Sequence, residues 1–197
     1  QMIDKARQLF DSQTEGLTAA NKHAENTNET LEIMEITMNN MRDRGQVVDQ
    51  EFLCRIDLLV AVGKMVLVSD LGPFYRLAEY LAARQVDRTG IVLGLPLLRE
   101  IFNESHYSDL AGGILEAFGR LFTSTVRLYV HPTRDAITGH MITSDTLAVA
   151  PHLSHLLHHV LANGFIFSIP CEESTLCTYS SEEVRSRICS GDPSWKA

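Results

Sequence analysis

Short apolar runs alternate with amphipathic stretches along this chain, and the alternation limits the folds open to it. Leu31 to Met38 is dominated by large apolar and β-branched residues, as in a strand of a buried sheet. Phe52, Leu53, Ile56, Leu59 and Val60 then recur at helical spacing, and Met65 to Val68 forms a second short apolar run. A helix to about Arg84, a strand over Gly90 to Gly94, a short helix from Leu97 to Phe102, a helix presenting Ile114, Phe118, Leu121 and Phe122, and a strand over Val126 to Val130 complete the series. Strands separated by helices cannot pair as hairpins; they pair in parallel through crossovers, and the helices cover the sheet. The sequence therefore predicts the α/β class, a parallel sheet with helices on both faces, built as one domain over residues 1–197.

Punctuation along the chain fits this pattern. Met2, Ile3, Ala6, Leu9 and Phe10 mark a helix over 2–13, and the polar, Asn- and Thr-rich stretch 14–30 suits a loop. Asp49 is placed to cap the next helix and Gly63 to end it. Ser69 and Asp70 are expected as caps of the helix that follows, with Pro73 near its first position. The chain reads as opening inside a helix, so we expect an incomplete domain, cut at both ends.

Composition removes several classes of function. A net charge of -8 without a Lys/Arg block argues against a general nucleic-acid or anionic-membrane surface. The longest apolar stretch, Leu58 to Val68, is interrupted by Gly63 and Lys64 and is too short to span a bilayer, so no membrane insertion is expected. No secretory leader pattern opens the sequence. Cys54, Cys171, Cys177 and Cys189 form no CxxC pair, which suits reduced thiols in a cytoplasmic setting, with an organelle matrix as the alternative.

Parallel sheets bind ligands beyond the carboxyl ends of their strands. That rule selects Ser69, Asp70, Gly94, Leu95 and His131 as the rim of a substrate cleft, with Tyr75 near enough to stack on an aromatic ring. Nearer the end, Ser180-Ser181-Glu182-Glu183-Val184-Arg185 sets two hydroxyls ahead of a helix and a guanidinium about one turn on. Such a start can hold phosphate through free N–H groups and an arginine fork, though it is also an ordinary helix cap. A second constellation is histidine: in 151–161 the leucines and Val160 share one stripe, and His152, His155 and His159 share the other side. His155 and His159 have chelating spacing, but no carboxylate joins them within the segment, so a solvated face is favoured over a metal site.

The order helix, strand, helix, strand ending in Gly94, strand with His131-Pro132, then Ser180-Ser181-x-x-x-Arg185 and a Gly191-Asp192 turn resembles the nicotinamide/nicotinate mononucleotide adenylyltransferases of the nucleotidyltransferase superfamily. It is also similar to a divergent branch carrying strings such as LVSDLGPFYRLAEYL, GGILEAFGRLF and RICSGDPSW. The resemblance implies a Rossmann-like fold, with Ser180, Ser181 and Arg185 on ATP phosphates. It implies ATP and Mg²⁺ in the reaction, and transfer of AMP to a nicotinamide or nicotinate mononucleotide, a step in NAD biosynthesis.

Three departures support a different class, a non-catalytic descendant serving in a homo-oligomer or larger assembly. Glu182 stands where the family has Thr, placing like charge near the phosphates. Pro96 stands where its Gly-x-Asp motif has Asp. The family's Gly- and His-bearing phosphate loop is not among these residues, and nucleotidyl transfer rests on such electrostatics.

Overall fold

The computed structural model describes residues 2–18, 30–38, 50–123, 125–135 and 138–171. It is an α/β structure whose two larger sheets are parallel and flanked by helices, the Rossmann-like class expected. The strands are distributed over separate sheets rather than one, and the chain clusters into two compact units.

In the first unit, which takes in 2–10, 90–103 and 126–171 of the described residues, β3 (Thr89–Gly94), β4 (Val126–His131) and β7 (Ile166–Ser168) form a three-stranded sheet in that order. β4 and β7 are parallel, with Leu128 opposite Ile166 and Val130 opposite Ser168. The Thr89 N–H donates to the Thr125 carbonyl at 2.9 Å, so β3 and β4 start side by side and run the same way. Central β4 is buried almost throughout, as its run of Val, Leu, Tyr and Val requires. On this sheet lies the first part of α1 (Met2–Thr18): Ala6, Leu9 and Phe10 pack with Tyr129, Phe167 and Ile169. Gly90 is tight here, for an added Cβ would stand 2.9 Å from Phe10 and 3.0 Å from Tyr129.

Two helices complete this unit. α4 (Leu95–Ile101) starts directly after β3 with Pro96 in its first turn. α6 (Ser154–Ala162), entered by a short 3-10 turn over Pro151–Leu153, buries Leu157 and Val160 and exposes its histidines. A two-residue antiparallel pair, β5 (Thr133–Arg134) with β6 (Met141–Ile142), and β7 itself were not anticipated. Three residues are too few for a periodic signal; the only mark of β7 is an apolar triplet after the helix-stopping Gly164.

In the second unit β1 (Ile33–Thr37) and β2 (Met65–Ser69) pair in parallel, joined through α2 (Gln50–Ala61). Gly63, at φ +76°, ends α2 with the Lys64 N–H on the Leu59 carbonyl and the Gly63 N–H on the Val60 carbonyl, as foreseen. The expected cap Asp49 lies outside the described residues. α3 (Phe74–Ala82) packs against α5 (Gly113–Leu121). Arg120 of α5 ties them, reaching Glu79 at 3.3 Å and Glu116 at 2.5 Å with its guanidinium 5.7 Å from the Tyr75 ring centroid. Glu116 also accepts the Gly112 N–H at 2.8 Å, which with Arg120 holds its carboxyl below the usual range.

Several boundaries differ from expectation. α1 runs to Thr18, five residues past the expected end at 13: Thr14 and Thr18 each cost only tenths of a kcal/mol in a helix and Gly16 about 1 kcal/mol, too little to stop it. Pro73 is the N-cap of α3, and neither Ser69 nor Asp70 caps it. That helix ends with Gln85 left-handed at φ 57°, the Val86 N–H returning to the Leu81 carbonyl at 3.2 Å. A glycine position is thus filled by a side chain, and Gln85→Gly should raise stability by roughly 0.5–1 kcal/mol, read as a higher urea midpoint.

Candidate functional site

The carboxyl edge of β4 and β7 carries a cluster of linked polar side chains. β4 ends at His131 and β7 at Ser168. Ser144, fully buried, lies against Ser168: its hydroxyl is 2.6 Å from the Ser168 hydroxyl, and its N–H donates to the same oxygen at 3.1 Å. Ser168 in turn donates to Asp145 at 3.3 Å. Since one hydroxyl has one proton, Ser144 must be the donor to Ser168. Ser168 then has both lone pairs and its proton engaged, so its part is to hold the 144–145 turn and aim Asp145. The groups left to meet a ligand on this edge are the exposed Asp145 carboxylate and the His131 imidazole.

His131 is half-buried. Burial foremost pushes its imidazole below the ordinary value, the Lys5 charge acts the same way, and a hydrogen bond to the Pro132 backbone opposes both. It is therefore a neutral ring at neutral pH; proline has no backbone N–H, so the ring's one proton goes to the Pro132 carbonyl and its other nitrogen is left to accept. Of the other residues expected on this rim, Gly94 is the extended residue ahead of α4, while Leu95 is 4% exposed. Leu95 belongs to the core: the helix begins without a loop after β3, and its first residue turns inward.

In the second unit the β1–β2 exit edge holds Ser69, which donates to the Glu35 carboxylate and accepts the Leu71 N–H at 3.4 Å. Ser69 is buried and occupied; Asp70 beside it is exposed. Tyr75, expected to offer its ring to a ligand, is 3% exposed. It faces Tyr107 at 6.3 Å between centroids, and its hydroxyl accepts from Arg76 at 3.2 Å. An aromatic on the inner stripe of an amphipathic helix goes to the core, and this one does. Burial, helped by Tyr75, pushes the Tyr107 phenol up to about 12. The folded chain holds that proton more tightly than the unfolded chain, so stability should fall as pH rises from 10 towards 12, by up to about 3 kcal/mol. Urea midpoints at pH 9 and pH 11 should diverge less in Tyr107→Phe.

Ser180, Ser181 and Arg185 lie outside the described residues. His152, His155 and His159 are exposed, as the leucine stripe implies, and no group of three or more His, Cys, Asp or Glu arranged to hold a metal occurs among the described residues. Ser144, Asp145 and Ser168 went unnoticed in the sequence. Ser144 and Ser168 lie far apart along it, and a lone serine closing a three-residue strand carries no pattern.

No protein-family model, curated protein or solved structure matches this chain. No helix among the described residues is long and apolar enough to cross a membrane.

Proposed function

We propose that this chain binds a nucleotide at the β4–β7 exit edge, as a domain of the adenylyltransferase type that transfers AMP from ATP to a mononucleotide acceptor. The observation that carries the reading is the polar edge itself: two parallel strands end side by side, one in a neutral imidazole and the other in a serine that orients a carboxylate. In this reading His131 accepts from an amino group of the base, and Asp145 accepts from ribose hydroxyls, the acceptor role acidic residues take in dinucleotide folds. Mg²⁺ would arrive on the triphosphate, offsetting its charge, rather than in a cage of protein ligands. Ser180, Ser181 and Arg185 keep the phosphate role that the family resemblance gives them.

The test is titration calorimetry of Mg-ATP into the full chain. His131→Ala and Asp145→Ala should each weaken binding about tenfold, the worth of one lost charge-assisted or buried hydrogen bond. Binding equal in both variants and the parent, or no ATP binding, rejects the site. Where ATP binds, dinucleotide formed from nicotinamide or nicotinate mononucleotide, followed by chromatography, decides the reaction.

A second reading, an interaction subunit, is favoured by one observation in the other unit. Large apolar side chains stand in solvent on α2 and beside it, with Leu58 67%, Val60 58% and Val62 64% exposed. Sedimentation over a concentration series would reveal self-association through this surface.

A further inference from the structure

Residues 143–146 make a tight turn at the exit edge. The Thr146 N–H donates to the Thr143 carbonyl at 3.3 Å and the Thr143 N–H donates to the Thr146 hydroxyl at 2.9 Å, so Ser144 and Asp145 occupy the two corners. Ser144 is fully buried and Asp145 is exposed. Against this turn lies Ser168, the last residue of β7.

Proton counting gives the arrangement a direction. The Ser144 hydroxyl at 2.6 Å and the Ser144 N–H at 3.1 Å fill both lone pairs of the Ser168 oxygen, whose single proton then goes to Oδ2 of Asp145 at 3.3 Å. A buried residue thus fixes the hydroxyl, and the hydroxyl fixes the carboxylate. Oδ1 of Asp145 has no hydrogen-bond or ion-pair partner among the described residues and faces solvent. Because the holding group is a neutral hydroxyl, no positive charge competes for the remaining acceptor sites.

Of the parts of a nucleotide, the phosphates are repelled by such a group, and the base amino group goes to His131. The ribose hydroxyls remain. A vicinal 2′,3′ pair gives one carboxylate two charge-assisted hydrogen bonds, whereas a 2′-deoxyribose gives one. A carboxylate free to turn must be ordered before it gains the second bond, and one already held does not meet that cost. On the nucleotide reading of this edge, on which the step rests, we infer that Ser168 is a positioning residue that makes Asp145 select ribonucleotides over 2′-deoxyribonucleotides.

Titration calorimetry of Mg-ATP and Mg-dATP into the full chain tests it. ATP should bind about tenfold more tightly than dATP. Asp145 is exposed, so Asp145→Ala leaves the fold intact and should bring that ratio to about one. Ser168→Ala should lower the ratio, and Ser168→Thr, which returns the hydroxyl, should restore it. If Ser168→Ala does not fold, Asp145→Glu takes its place: the added methylene carries the carboxylate off the serine and should lower the ratio likewise. His131→Ala should weaken both nucleotides alike and leave the ratio unchanged.

Equal affinity of the parent for ATP and dATP overturns the inference, as does a ratio that Asp145→Ala preserves, or a Ser168→Thr ratio no higher than that of Ser168→Ala. If His131→Ala still weakens ATP in those cases, the nucleotide edge stands without its sugar selectivity. Absence of binding by either nucleotide overturns both.

Discussion

Tyr129→Ala should cost about 3–5 kcal/mol, a large part of the stability of an ordinary domain. Tyr129 is 1% exposed in the central strand of its sheet. Its ring stacks on Phe167 at 5.7 Å and meets Phe10 edge-on at 6.0 Å, so truncation opens a void bounded by β7 on one side and α1 on another. Those walls are held by backbone hydrogen bonds, including the Ile169 N–H on the Val130 carbonyl at 2.8 Å, and cannot close over the space. Urea unfolding followed by far-ultraviolet circular dichroism should show an early transition. Tyr129→Phe keeps the volume and should lose far less, which separates packing from the hydroxyl.

The opposite insult at the same place should also be severe. Gly90→Val adds two methyl groups and a Cβ where the Cβ already falls inside contact distance of Phe10 and Tyr129. Either the rings leave their positions or β3 shifts, and overpacking of this kind costs roughly 1–3 kcal/mol. Combining Gly90→Val with Phe10→Ala provides the check. Removing the ring that the new side chain strikes should return part of the loss, giving a total smaller than the sum of the single effects. Strict additivity would show that Gly90 is not read through Phe10.

The legibility of this chain followed the length of each signal. β4 was plain as a near-continuous apolar run and α5 as an apolar stripe at helical spacing, and the Gly63 stop was plain because a left-handed residue after an apolar stripe has few occupants. The α/β class followed from that alternation. What the alternation could not convey was how strands are shared between sheets, since β1–β2 and β3–β4–β7 carry equally apolar runs and pairing is fixed by tertiary packing. Among rim residues, position along a strand was readable and side-chain direction was not: His131 is half-buried at its strand end, while Leu95 and Tyr75 turn into the core. The Ser144–Ser168–Asp145 relay depends on β7, too short to announce itself.

The packing of α1 on Tyr129 and Ile169 has a temporal consequence. The residues that close this core come from opposite ends of the described sequence, and β3 and β4 are inserted between them. On the ribosome, Ala6 and Phe10 emerge well before Ile169 and must wait for it before their apolar surface is covered. Contacts of such long reach make for slow, late consolidation and leave the nascent chain sticky meanwhile. Holdase-type chaperones would find their substrate in α1 while the later strands are still unmade.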